Sequence, residues 1–113
     1  MDLGLQDKVA IITGGSEGIG KAAALSMAQE GARVVIVARR ADVLEQAAQD
    51  IRVASEGMVL PVQGDVTDRG TAARVVQKAL DSFGRVDILV NNAGTAIAKE
   101  FEAVSDDEWE GDF

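Results

Sequence analysis

Four short apolar runs, Val9 to Ile12, Arg33 to Ala38, Met58 to Val62 and Val86 to Val90, recur along the chain with a helix-length segment between each successive pair. Each run is nearly continuous in apolar residues, as strands covered on both faces require. The intervening segments, Ile19 to Glu30, Val43 to Ser55 and Thr71 to Phe83, read as helices. The third is clearest: Ala72, Val75, Val76, Ala79, Leu80 and Phe83 fall on one face, and Gly84 is placed to end the helix. That stripe reads as core and not as a cofactor surface. The order β-α-β-α-β-α-β, with right-handed crossovers and no internal linker, predicts an α/β fold with a parallel sheet of about four strands. Pro61 orders the strands, because it removes a ladder donor and so belongs at an edge. The resulting order, 3-2-1-4, is that of a doubly wound half-sheet.

Composition narrows the chemistry. With 113 residues, 47% of them apolar, and a mean hydropathy of +0.07, the chain is sized for one modest core and reads as a single domain over residues 1–113. No run approaches the ~20 apolar residues of a membrane span. The N-terminus, with Asp2 and Asp7, lacks the basic and apolar parts of a signal peptide, so the default expectation is a cytoplasmic protein without a membrane partner. There is no Cys and no His, which leaves no disulfide framework, thiol nucleophile or standard zinc site; no metal ligands are expected, and redox chemistry would be borrowed from a cofactor. A net charge of -8 argues against nucleic acid. Seven of the nineteen acids lie in residues 100–113, which hold no base, so the body of the chain is nearly neutral. That acidic end reads as the start of a helix, because Ser105-x-x-Glu108 is a capping box and Asp106 and Asp107 suit a helix N-terminus. Only five residues follow Glu108, too few for a stable helix without tertiary support.

The stretch Thr13-Gly14-Gly15-Ser16-Glu17-Gly18-Ile19-Gly20 follows the first run and opens the first helix. Glycine lets backbone turn sharply and approach an anion, while free N–H groups and the helix dipole point at the negative charge, so the loop predicts phosphate and hence nucleotide binding. Three patterns fit it at different offsets. Gly18-x-Gly20-x-x-Ala23 matches the dinucleotide fingerprint, although the spacing that suits the preceding strand is Gly14-x-x-x-Gly18-x-Gly20. Gly15-x-x-x-x-Gly20-Lys21 is a near P-loop, with Ala22 where a magnesium-binding hydroxyl belongs. Gly14-x-Ser16-x-Gly18 matches a nucleophile elbow, but a chain without His offers Ser16 no conventional triad base. A turn used only for tight packing is the bland alternative.

With Gly64-Asp65-Val66 after the third strand and Asn91-Asn92-Ala93-Gly94 after the fourth, the chain resembles the short-chain dehydrogenase/reductases over essentially its whole length, including Asp107-Glu108-Trp109. The resemblance implies a Rossmann-type three-layer sandwich, truncated relative to the full family fold. It implies that Gly14, Ser16, Glu17, Gly18, Ile19 and Gly20 surround the pyrophosphate and nearby ribose of the cofactor. Asp65 and Val66 would meet the adenine, and Asn91, Ala93 and Gly94 the ribose nearer the nicotinamide. Asn91 and Asn92 could equally be structural, satisfying loop backbone.

The family resemblance also implies a Ser and a Tyr-x-x-x-Lys that pass a proton to the substrate oxygen, and this chain contains no Tyr. The family's catalytic Asn, expected shortly beyond Trp109, is not reached. Thr95-x-x-x-Lys99 copies the spacing with an alcohol, a poor proton donor, and is read as chance; no catalytic residue is assigned. The expectation is an NAD(P)-dependent oxidoreductase by lineage, represented by its cofactor-binding half and inactive alone, with an alcohol or carbonyl as substrate of the full-length form. The alternatives are a non-catalytic nucleotide-binding or assembly module and, less favoured, a P-loop phosphohydrolase. After the second strand, Ala38 stands where NAD-preferring relatives place an acid, and Arg39 and Arg40 follow; a guanidinium can pair with a 2′-phosphate, so NADP is expected over NAD. Glu17, where a basic residue often stands, and Asp42, an alternative acid, pull the other way. The unpaired fourth strand predicts self-association.

Overall fold

The computed structural model describes residues 4–92. The expectations for Ala93, Gly94, Thr95, Lys99 and the helix start at Ser105 lie outside the described residues. The elements run β1 (Val9–Thr13), α1 (Gly18–Gln29), β2 (Arg33–Ala38), α2 (Ala41–Ser55), β3 (Val59–Gln63), α3 (Thr71–Phe83) and β4 (Ile88–Asn91). All strand pairs are parallel, and the sheet order is β3-β2-β1-β4. Pro61 stands opposite Ile36 on the edge strand β3, where its missing N–H faces away from a partner.

Alternation along the strands divides the core in two. Val9, Ile11, Val35, Val37 and Val62 point to one face and pack against Ala72, Val75, Val76 and Ala79 of α3. Ile12, Val34, Ile36 and Val59 point to the other, under Ala24 and Ala28 of α1 and Leu44, Ala47, Ala48 and Ile51 of α2. Side chains of β1 and β2 are thus covered on both sides, which is why their sequences carry no polar alternation. Gly84 ends α3 as expected, at φ +79°, donating its N–H to Leu80 O at 2.8 Å. Among the described residues no helix is long and apolar enough to cross a membrane.

The fourth strand begins two residues later than its apolar run. Asp87 intervenes: its Oδ2 accepts the Val9 N–H at 2.9 Å while its own N–H donates to Val9 O at 2.9 Å, so the ladder opens one step on, at Ala10 opposite Ile88. Arg85 Nε and Nη2 donate to both carboxylate oxygens at 2.7 to 3.1 Å. Burial pushes the Asp87 carboxyl pKa up, but the Arg85 hydrogen bonds, the Val9 N–H and the charges of Arg85 and Lys8 together hold it below its ordinary value. A carboxyl depressed in the folded state contributes stability above its unfolded pKa and loses it as pH falls through the folded one. Asp87→Asn is therefore expected to cost about 1 to 2 kcal/mol in urea unfolding at neutral pH. The deficit should close as both proteins are acidified below the carboxylate range. A deficit that persists undiminished in acid would mean that shape, not charge, holds this corner.

Candidate functional site

The C-terminal ends of β1, β2 and β3 converge on a hollow of about 350 Å³. The loop after β1 contributes Gly14, Ser16 and Glu17, the end of β2 contributes Ala38, Arg39 and Arg40, and the loop after β3 contributes Asp65, Val66 and Thr67. Seven residues singled out by sequence, Gly14, Ser16, Glu17, Arg39, Arg40, Asp65 and Val66, are thereby brought to one place from three separate loops. Gly18, Ile19 and Gly20 form the first turn of α1 beside it, with Ile19 80% exposed. Asn91 ends β4 and turns toward Thr13 instead.

The glycines divide by role. Gly14, at φ +68°, turns the chain out of β1 while its N–H donates to Val37 O at 2.9 Å. A Cβ on Gly15 would lie 2.8 Å from Ile36 Cβ, and one on Gly20 would run into the Gly14 carbonyl oxygen and stand 3.1 Å from Asn92 Nδ2. These two are internal requirements of the turn. Gly18 faces open space, where an added Cβ would meet nothing within 4 Å. Sequence reasoning assigned Gly18 and Gly20 one role, and the structure separates them.

Thr13 is fully buried and braces this turn from the side of β4. Its Oγ1 donates to Asn91 Oδ1 at 3.2 Å and accepts the Asn92 N–H at 3.0 Å. Asn92 is exposed, its side chain lies beside the glycine turn and its backbone N–H is held by Thr13.

Charge at the hollow is arranged in two pairs. Arg39 Nη1 lies 3.9 Å from Asp65 Oδ2, and Arg40 Nη2 lies 3.3 Å from Asp42 Oδ2. Asp65 Oδ1 accepts from Thr67 Oγ1 at 2.6 Å and from the Thr67 N–H at 2.9 Å; these two bonds, with the Arg39 charge, hold its carboxyl below its ordinary pKa. The Val43 N–H and then Arg40 do the same for Asp42. Both stay ionised at neutral pH. Gly64 N–H donates to Ala38 O at 2.9 Å and Gln63 Nε2 to Arg39 O at 3.0 Å, which tie the ends of β2 and β3 together, while Thr71 Oγ1 donates to Asp65 O at 2.8 Å and fixes the loop after β3 to α3. Thr67 was not identified as a site residue from the sequence; the signal was the Asp65-x-Thr67 spacing of a side-chain-capped turn.

Two alternative readings of the glycine loop lose ground here. Lys21 Nζ, the cation a P-loop needs, is held by Asp50 of α2 at 2.7 Å, and Gln46 Nε2 secures the other Asp50 oxygen at 2.9 Å. Ser16 lacks the strained backbone of an elbow nucleophile: among the described residues the non-glycines at positive φ are Asp7 and Glu56. Among the described residues no group of His, Cys, Asp and Glu is placed to hold a metal.

Known proteins are similar to this chain in sequence and fold. An uncharacterized oxidoreductase of Listeria monocytogenes is 42% identical over 106 residues, covering 94% of this chain and 42% of that protein. An NADP-dependent (R)-specific alcohol dehydrogenase of Lentilactobacillus kefiri is 42% identical over 93% of this chain and 41% of its own length. The L-sorbose reductase of Gluconobacter frateurii, solved with NADPH and L-sorbose, superposes with a TM-score of 0.79 at 48% identity, over 84% of this chain and 36% of that one. The chain thus spans about two fifths of the length of these curated relatives and matches the N-terminal part of the fold. Residues 8–112 match the short chain dehydrogenase family, and the chain belongs to it.

Proposed function

We propose that this chain forms the NADP(H)-binding part of an oxidoreductase that passes hydride between nicotinamide and a small alcohol or carbonyl compound. The observation that carries the reading is the convergence of the glycine turn, two arginines and Asp65 on one hollow at the strand C-termini. The groups there suit an adenosine phosphate. The first turn of α1 offers helix-terminal N–H groups to a pyrophosphate, Arg39 and Arg40 offer guanidinium forks to a 2′-phosphate, and Asp65 offers a fixed carboxylate to an amine such as that of adenine. In this reading Gly14, Ser16, Glu17, Gly18, Ile19 and Gly20 serve the phosphate side of the site and Val66 borders the adenine; Asn91 acts from the end of β4 through its bond with Thr13, and the family resemblance assigns Ala93 and Gly94, outside the described residues, to the nicotinamide side. When bound, the nicotinamide supplies or accepts the hydride. The chain's own residues bind and orient it.

The test is titration with NADPH, NADH and magnesium-ATP. NADPH should bind most tightly, and Arg39→Ala should weaken it about tenfold, ~1.4 kcal/mol, while leaving NADH nearly unchanged. Equal affinities for the two dinucleotides, or an unchanged ratio in Arg39→Ala, would remove the NADP(H) assignment; preference for magnesium-ATP would revive the phosphohydrolase reading.

The reading extends to assembly. Ile88, Leu89 and Val90 of β4 are only half-buried, whereas Ile11 and Ile12 beside them in β1 are fully buried, and no charge or proline interrupts the strand. Among the described residues β4 has a strand on one side only, and such an edge recruits another strand. The isolated chain is expected to self-associate in light scattering, and a compact monomer at high concentration would contradict this.

A further inference from the structure

Arg39 does not stand free at the mouth of the hollow. Its guanidinium lies 3.9 Å from Asp65, a side chain that borders the same space from the opposite loop. The Asp65 carboxylate is also not free to swing away, because Oδ1 is fixed by the Thr67 hydroxyl and N–H at 2.6 and 2.9 Å, leaving Oδ2 aimed at Arg39. A phosphate arriving at Arg39 therefore meets a cation already paired, and an anion held within the same hollow. Arg40 is paired differently, since its carboxylate, Asp42, lies on α2 outside the lining of the hollow.

We propose that Asp65 is a specificity-setting residue of this pocket: it competes with a ligand's 2′-phosphate for Arg39 and so limits how strongly a 2′-phosphate is preferred over a 2′-hydroxyl. The inference rests on the nucleotide reading above and adds a residue that acts against the preference which Arg39 confers. Because the Arg39 side chain is 74% exposed, the competition is screened, and it should amount to about two- to fivefold in relative affinity. It should weaken further with added salt.

The probes are adenosine 2′,5′-bisphosphate and adenosine 5′-monophosphate, which differ only in the 2′-phosphate, titrated calorimetrically into the parent chain and into Asp65→Asn. Asn keeps an oxygen that can accept from Thr67 and removes the charge. The expected result is a rise of about two- to fivefold in the bisphosphate-to-monophosphate affinity ratio, even if contact with the adenine is lost, because that loss lowers both affinities alike. In an Arg39→Ala background, Asp65→Asn should leave the ratio unchanged, because the competition runs through Arg39. An unchanged or lower ratio in Asp65→Asn, or a full gain retained without Arg39, would overturn the proposal. The parent chain alone judges the underlying reading: no 2′-phosphate preference there counts against NADP(H), whatever the variant does.

Discussion

Gly20→Ala is expected to reduce NADPH affinity by at least about tenfold and to destabilise the chain by about 1 to 3 kcal/mol. The new methyl group would point at the carbonyl oxygen of Gly14, a backbone atom that cannot rotate away as a side chain can. Gly14 is itself held, through its N–H, to Val37 O at the end of β2. Relief therefore requires moving the first turn of α1 away from the end of β1, which displaces the N–H groups assigned to the pyrophosphate. Gly18→Ala provides the contrast: a Cβ there meets nothing, and the cost is that of a left-handed backbone at φ +55°, about 1 kcal/mol. Urea unfolding combined with NADPH fluorescence titration separates the two effects. Unchanged binding in Gly20→Ala would show that the turn is not what holds the nucleotide.

The second large effect is an absence of turnover. Residues 1–113 are expected to bind NADPH without reducing ketones or quinones, because hydride transfer to a carbonyl builds negative charge on oxygen and this sequence has no Tyr, His or Cys to deliver a proton. Loss of general acid catalysis alone costs about 10²- to 10⁴-fold. The assay follows NADPH absorbance with a carbonyl panel and compares this chain with a longer one extended through further strands and helices. Saturable turnover by the short chain that vanishes in Thr95→Val or Lys99→Met would make that pair a genuine site and overturn the expectation.

Much of the architecture could be read from residue patterns because burial on both faces leaves a strong mark. The run Val34 to Val37 has no polar position, and such a strand fits only inside a sheet covered twice. Pro61 fixed the outer strand through one missing donor. Boundaries were less legible where a side chain replaces a backbone partner: Asp87 occupies the Val9 N–H, so an apolar run starting at Val86 becomes a ladder starting at Ile88. At the site, residue types identified Arg39 and Asp65 separately, but their approach to one another joins loops 26 positions apart and depends on β2 and β3 lying side by side. Thr67 carried too common a pattern to stand out, and its importance comes from what it holds. The distinction between Gly18 and Gly20 was also invisible, since it depends on which neighbour lies behind each Cα.

The first strand of the chain lies inside the sheet, and its two neighbours come from very different distances: Val9 pairs with Arg33, whereas Ala10 waits for Ile88. As the chain is synthesised, β1, β2 and β3 can pair and bury the face under α1 and α2 while β4 does not yet exist. During that interval β1 is the open margin of a three-stranded sheet, and Thr13 has neither Asn91 nor Asn92 to grip. The glycine turn is among the first segments made and among the last to be braced. The nucleotide binding proposed above would thus be tied in time to the arrival of the fourth strand, because a nascent chain shorter than that would carry the glycine turn without the support that sets its shape.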